Sequence, residues 1–259
     1  MSPADEAIAF ENVTKRLGDG PPALDGVSLA IRAREFLAIV GPSGSGKTTL
    51  LRLINRLTDP SAGVVRVNGE DVQAVDAVAL RRRIGYVFQG IGLFPHMTVA
   101  ENIAITPKLL GWDDARMASR VDELIRLVRL DGDKHRDRFP NELSGGEGQR
   151  VGVARALAAE PKIMLMDEPF GALDPLTRDA LGEDYRRLHG ELGLTTVMVT
   201  HDMLEAVLLA DRIVVLRDGH IVADGTPDRL LNGAQNDYVR ELMAAPRRQA
   251  ERLRALERR

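Results

Sequence analysis

Phe36-Leu37-Ala38-Ile39-Val40-Gly41-Pro42-Ser43-Gly44-Ser45-Gly46-Lys47-Thr48 reads as a buried strand, a glycine-rich loop and the start of a helix. The last eight residues fit the spacing G-x-x-x-x-G-K-[ST]. Glycine lets the backbone wrap closely, so that several N–H groups point at one anion. The helix that follows adds a positive end. Lys47 brings a point charge for β- and γ-phosphates, and the Thr48 hydroxyl is a hard oxygen suited to Mg²⁺. Thr49, next in the helix, is counted with the loop. The plain alternative is a Gly/Ser turn before a helix. The buried-type strand and the Gly-Lys-Thr order speak against it, and the loop points to a nucleoside triphosphate.

Ile163-Met164-Leu165-Met166 is a second buried strand with Asp167 and Glu168 at its C-terminal edge. Ligands bind at that edge of a parallel α/β sheet. Asp167 suits Mg²⁺, and Glu168 is placed to orient or deprotonate a water that attacks the γ-phosphate. A strand-end acid pair with a capping role is the plain alternative, weakened by the phosphate loop.

Other strands are expected at Ile8 to Val13, Val27 to Ile31, Val64 to Val67, Ile84 to Phe88, Thr196 to Val199 and Arg212 to Leu216. Asn68-Gly69 and Asp218-Gly219 are hairpin signals. The first helix is expected from Lys47 to about Leu57. The strand signal stops from Thr98 to Leu143, where Val121-Leu124-Ile125-Val128 has helical spacing. Strands alternating with helices define an α/β chain.

The composition narrows the class. The 259 residues hold 44% hydrophobic and 28% charged residues, the balance of a globular protein with a sizeable core. The longest apolar runs are five residues, far below the about 20 that span a bilayer, and Met1 to Phe10 lacks the basic start of a secretory signal. No cysteine is present, which excludes a disulfide scaffold and thiol catalysis and suits a reducing compartment. A net charge of -3 and 4% aromatics argue against nucleic acid as a partner. His96, His135, His189 and His220 show no metal spacing and read as structural or surface groups.

Between the two acidic and basic motifs lies Leu143-Ser144-Gly145-Gly146-Glu147, followed by Gln149-Arg150. Here the sequence resembles the ATP-binding subunits of ABC transporters, over about residues 6 to 245. Gln89 at a strand end is similar to that family's Q-loop, Gly171-Ala172-Leu173-Asp174 to its D-loop, and His201 to its H-switch. The resemblance implies a P-loop NTPase (RecA-like) core with an antiparallel β subdomain and a helical signature subdomain, inserted at about 90–145 of a 1–245 ATPase domain. It implies ATP and Mg²⁺ as cofactors. It also implies a head-to-tail dimer, in which Ser144, Gly145, Gly146 and Glu147 of one copy face the ATP on Gly41 to Thr49 of the other. Asp174 would cross that interface, Gln89 would touch Mg²⁺, and His201 would contact the γ-phosphate. Glu168, His201, Lys47 and Gln89 carry the catalytic roles, with Thr48, Gln89 and Asp167 as metal ligands.

Ninety-seven positions separate Lys47 from Ser144, which leaves no room for the coiled coil of the DNA-repair relatives, and one cassette is present where translation-factor relatives carry two. The resemblance further implies membrane-spanning permease subunits and a substrate-binding protein as separate chains, with this one peripheral at the cytoplasmic face of the cell membrane. The stretch from Ile91 to Trp112, with Asp174 to Arg178 and Val199 to Met203, is similar to importers of glycine betaine, carnitine and choline. An importer of amino acids, polyamines or another small amine, or a non-hydrolysing cassette, remain as alternatives. Leu93, Phe94, Pro95 and Met97 are apolar where exposure is expected, which suits a partner groove, with packing onto the core as the other reading.

Two departures stand out. Leu17 occupies a place where many relatives stack an aromatic on adenine; the loss of stacking, about 1–3 kcal/mol, predicts ATP binding weaker by roughly tenfold. Gly148 stands where glutamine is common and loosens the helix start. The chain ends at Arg259, so a C-terminal regulatory domain pair is not expected, and 246–259, with six arginines and two glutamates, reads as a charged tail.

Overall fold

The computed structural model describes residues 6–90, 92–171, 173–233, 236–244 and 248. Ile91, Ala172 and most of the charged tail lie outside them.

Two sheets organise the chain. The first is antiparallel and contains β1 (Glu6–Lys15), β2 (Leu24–Arg32), β4 (Ala62–Val67) and β5 (Glu70–Asp71), in the order β2-β1-β4-β5. The second contains β3 (Phe36–Val40), β6 (Ile84–Val87), β7 (Ile163–Asp167), β8 (Thr195–Val199), β9 (Arg212–Arg217) and β10 (His220–Gly225), in the order β10-β9-β3-β8-β7-β6. All its neighbours pair in parallel except β10, which folds back on β9. Every residue of β3, β7 and β8 is buried. This explains the unbroken apolar runs Phe36 to Val40 and Ile163 to Met166, since a parallel sheet is covered on both faces. Each of their Val, Leu, Ile, Phe and Met side chains contributes about 1.5–3 kcal/mol on burial.

Helix α1 (Lys47–Ile54) follows the phosphate loop. It stops three residues before the expected Leu57, because Arg56 turns into the left-handed region at φ 51° and Leu57 N–H returns to the carbonyl of Arg52. Helix α2 (Ala77–Arg82) was not expected; Asp76 caps it by accepting from the N–H of Ala79. Six residues are too few to show a period.

The strand-free region holds α3 (Val99–Leu109), α4 (Asp114–Leu127), α5 (Gly132–His135) and a 3₁₀ turn at Pro140–Glu142, and leads into α6 (Gly145–Leu157). Thr98 and Glu101 form a capping box on α3. Val99, Ile103, Val121, Leu124, Ile125 and Val151 bury their side chains together, in one apolar cluster with Met164 and Met198 of the sheet.

Helices α7 (Pro175–Leu192), α8 (Met203–Leu209) and α9 (Pro227–Gly233) follow, and residues 237–244 are helical as well. Buried Asp184 of α7 meets Arg150 of α6 at 2.9 Å, Arg129 at 2.9 Å and Arg187 at 3.3 Å. One buried carboxylate surrounded by three guanidinium groups therefore ties α6 to α7. Among the described residues no helix is long and apolar enough to cross a membrane.

Candidate functional site

The loop from Gly41 to Gly46 joins β3 to α1 by conformations that only glycine takes easily. Gly46 has φ 103°, and a Cβ there would lie 2.3 Å from the carbonyl oxygen of Ala23. A Cβ on Gly41 would lie 2.0 Å from the carbonyl oxygen of Leu216. No side chain caps α1, so its first N–H groups remain available to an anion. Among the described residues Ser45 Oγ, buried beside Gly41, has no hydrogen-bond partner.

Lys47 donates from Nζ to the carbonyl oxygens of Gly41 and Pro42, both at 2.8 Å. Burial lowers its pKa, and the carboxylates of Glu168 and Asp167 oppose that shift. Because burial penalises the charged form, an anion placed beside Nζ would favour it.

Thr48 donates its hydroxyl to Asp167 Oδ1 at 3.1 Å. Burial raises the pKa of Asp167, while the Thr48 hydrogen bond opposes the shift. Two hard oxygens this close, one on a desolvated carboxylate, fit the donor set of Mg²⁺.

Glu168 is the turning point of the site. Its backbone is left-handed at φ 47°, and its N–H donates to the carbonyl of Val199 at 2.9 Å. The chain thus leaves β7 abruptly and presents the carboxylate over the loop. Gln89 and His201 both reach that carboxylate. Glu168 lines a cavity of about 310 Å³ with Leu17, Ala23, Ser43, Gly44, Gly46, Lys47, Thr48 and Thr49. Leu17, 64% exposed, forms its apolar wall. A larger cavity of about 650 Å³ lies between α7 and α8. It contains no residue of the phosphate loop, so the chemistry selects the smaller one.

The sequence model of the ABC transporter family matches residues 24–171. The chain belongs to the ABC transporter family. It is 52% identical over 240 residues to the choline transport ATP-binding protein OpuBA of Bacillus subtilis, covering 93% of this chain and 63% of that protein. It is 51% identical to the glycine betaine/carnitine/choline transport ATP-binding protein OpuCA of the same organism, with the same coverage. The chain thus spans about 63% of the length of these relatives. A solved dimer of the ATP-binding cassette MJ0796 in a post-hydrolysis state with ADP and Pi superposes with a TM-score of 0.77. It is 36% identical and covers 85% of this chain and 98% of that one.

The remaining motif of this ABC cassette stands apart. None of Ser144, Gly145, Gly146 and Glu147 lines the cavity over the phosphate loop. Ser144 caps α6 by accepting from the N–H of Glu147, and Glu147 returns a bond to Ser144 N–H at 2.8 Å. Ser144 and Gly145 are exposed. Gly148, expected to loosen the helix start, is buried within an intact α6. Asp174 caps α7 by accepting from Thr177 N–H at 3.1 Å, and hydrogen bonds from Thr177 lower its pKa. Thr177 packs on the signature turn: a Cβ on Gly146 would lie 2.5 Å from its Cγ2.

Sequence reasoning did not single out Arg178, and it named Glu147 without its link to His135. Arg178 joins the D-loop to the helix after His201, donating to the carbonyl of Leu173 at 3.2 Å and to Asp202 at 3.1 Å. Its position in Asp174 to Arg178 was the only available signal. Of the apolar residues after Gln89, Leu93 packs against the helical core, as the packing alternative holds. Phe94 and Pro95 stay exposed, and Phe94 lines a cavity of about 620 Å³ with Leu57, Phe88 and Leu109.

Proposed function

We propose that this chain is the ATP-hydrolysing subunit of a multi-chain importer for quaternary amines such as glycine betaine, choline or carnitine. The observation that carries the reading is Glu168, held over the phosphate loop opposite Lys47 with Gln89 and His201 on its carboxylate. ATP would lay its phosphates on Gly41 to Thr48 and its base against Leu17. Glu168 would take a proton from water as that water attacks the γ-phosphorus and the bond to ADP breaks. Lys47 would neutralise charge on the transferred group, and His201 would contact it. Thr48 and Asp167, with Gln89, would hold Mg²⁺. When bound, the ion would supply positive charge to the β- and γ-phosphates.

The solvent-facing signature turn supports a composite site. Ser144 to Glu147 of a second copy would close over the nucleotide, with Asp174 crossing between copies. Permease subunits would dock at the cavity beside Phe94, on the cytoplasmic face of the membrane. Cargo would be read by a separate binding protein. The similarity to quaternary-amine transport proteins supports the choice of cargo.

The test is reconstitution of this chain with its permease and binding protein, with ATP hydrolysis measured against glycine betaine, choline, carnitine, polyamines and amino acids. Stimulation by a quaternary amine supports the whole reading. Stimulation by another amine keeps the machine and discards the cargo. Absence of hydrolysis under every condition overturns the enzymatic reading.

A further inference from the structure

His135 at the end of α5 is 5% exposed, and both its ring nitrogens face acceptors. Nδ1 lies 2.9 Å from the carbonyl oxygen of Asp131, and Nε2 lies 2.8 Å from Glu147 Oε1. A neutral imidazole carries one N–H, so only the imidazolium satisfies both contacts. Glu147 uses its other oxygen, Oε2, to accept from Ser144 N–H at 2.8 Å. One carboxylate thus joins a buried histidine to the first residue of the signature turn.

The pairing answers an electrostatic problem. The start of α6 attracts anions through its free N–H groups and its dipole. A bare carboxylate in the same turn would repel a phosphate, and an imidazolium in contact with it removes that charge. We propose that His135 is the positioning residue of the signature turn. In its imidazolium form it holds Glu147 against Ser144 and cancels its charge, so that the exposed Ser144–Gly145 end of α6 accepts the γ-phosphate of a nucleotide on a second copy. This rests on the composite-site reading given under Proposed function.

The surroundings agree. Hydrogen bonds from Ser144 N–H, then from His135, pull the pKa of Glu147 down to about 2, so it is ionised throughout the neutral range. Three other acids on the elements around α5 have partners of their own. Asp122 of α4 pairs with Arg136. Glu101 of α3 closes its own capping box. Asp131 caps α5 through its side chain. Glu147 is therefore the carboxylate that meets the ring. Nucleotide-driven dimerisation is expected to be full while both ring nitrogens of His135 carry a proton and to fall once one is lost.

The experiment uses the full chain carrying Glu168→Gln, which preserves the ATP complex. ATP-driven dimerisation is followed by sedimentation, and nucleotide binding to the monomer by fluorescent ATP analogue titration. His135→Phe is expected to weaken dimerisation at least tenfold and leave monomer binding unchanged. His135→Phe with Glu147→Gln is expected to recover most of the loss, because the repelling charge is gone. A double variant as impaired as His135→Phe alone overturns the proposal, since a purely structural role would not be rescued by neutralising the partner.

A second measurement needs no variant at position 135. The ring of His135 is titrated by NMR from pH 5.5 to 9 beside the dimerisation constant. A dimer that weakens with the same midpoint supports the proposal. A dimer equally tight once the ring is neutral overturns it, while leaving the composite site intact. No ATP-driven dimer at any pH overturns the composite-site reading and this inference together.

Discussion

Gln89 donates its side-chain amide to Oε2 of Glu168 at 3.0 Å, and His201 Nδ1 lies 3.4 Å from the same oxygen. Three segments distant in sequence therefore converge on one carboxylate at the edge of the sheet. Glu168→Gln keeps the shape and removes the base. Turnover is expected to fall by about 10²–10⁴, the usual size of a general-base contribution, with ATP affinity within about threefold of wild type. Phosphate release and equilibrium binding measure the two quantities. Wild-type turnover in this variant would remove Glu168 from the chemistry.

Lys47 spends its ammonium on two carbonyl oxygens of its own loop, contacts that an anionic ligand would replace. Lys47→Ala is expected to weaken nucleotide binding by about 10–100-fold, as hydrogen bonds to charged groups contribute about 1.5–3 kcal/mol. Calorimetric titration with ATP checks this. Unchanged affinity would mean that the backbone amides suffice.

Leu17 is exposed and lines the cavity, so a ring there has room to lie over a base. Leu17→Tyr is expected to tighten ATP binding about tenfold through stacking. GTP should gain as well, because every base has a face. An affinity equal to wild type would place the base elsewhere.

Asp167 is a buried acid whose pKa burial raises. Such a group costs folding stability where it is ionised, and the cost is relieved as pH falls through its folded value. Asp167→Asn is therefore expected to melt higher than wild type at pH 7 without metal. Relief of about 1 kcal/mol corresponds to about 2–4 °C in a domain of this size. The gap should close toward acid pH, and Mg²⁺-dependent ATP binding should be lost. Scanning calorimetry across pH reads the first effect. A lower Tm at pH 7 would show that the Thr48 hydrogen bond outweighs desolvation.

The legible parts of the sequence were those whose physics is local. Phe36 to Val40 and Ile163 to Met166 announce buried parallel strands because both faces are covered. Gly41, Gly46 and Lys47 announce the loop because backbone shape and charge are fixed within eight residues. What stayed hidden depends on packing between elements. The link from His135 to Glu147 joins two helices across twelve positions and leaves no period. The early end of α1 rests on the backbone of Arg56, a residue type with no preference for positive φ.

The contact between Thr177 and Gly146 restricts how this chain can change over generations. A methyl group at position 146 would fall 2.5 Å from the Thr177 methyl, so a larger residue at 146 requires Thr177 to turn aside or to be shortened. Substitutions at the two positions are thus coupled: the cost of one depends on the residue already standing at the other.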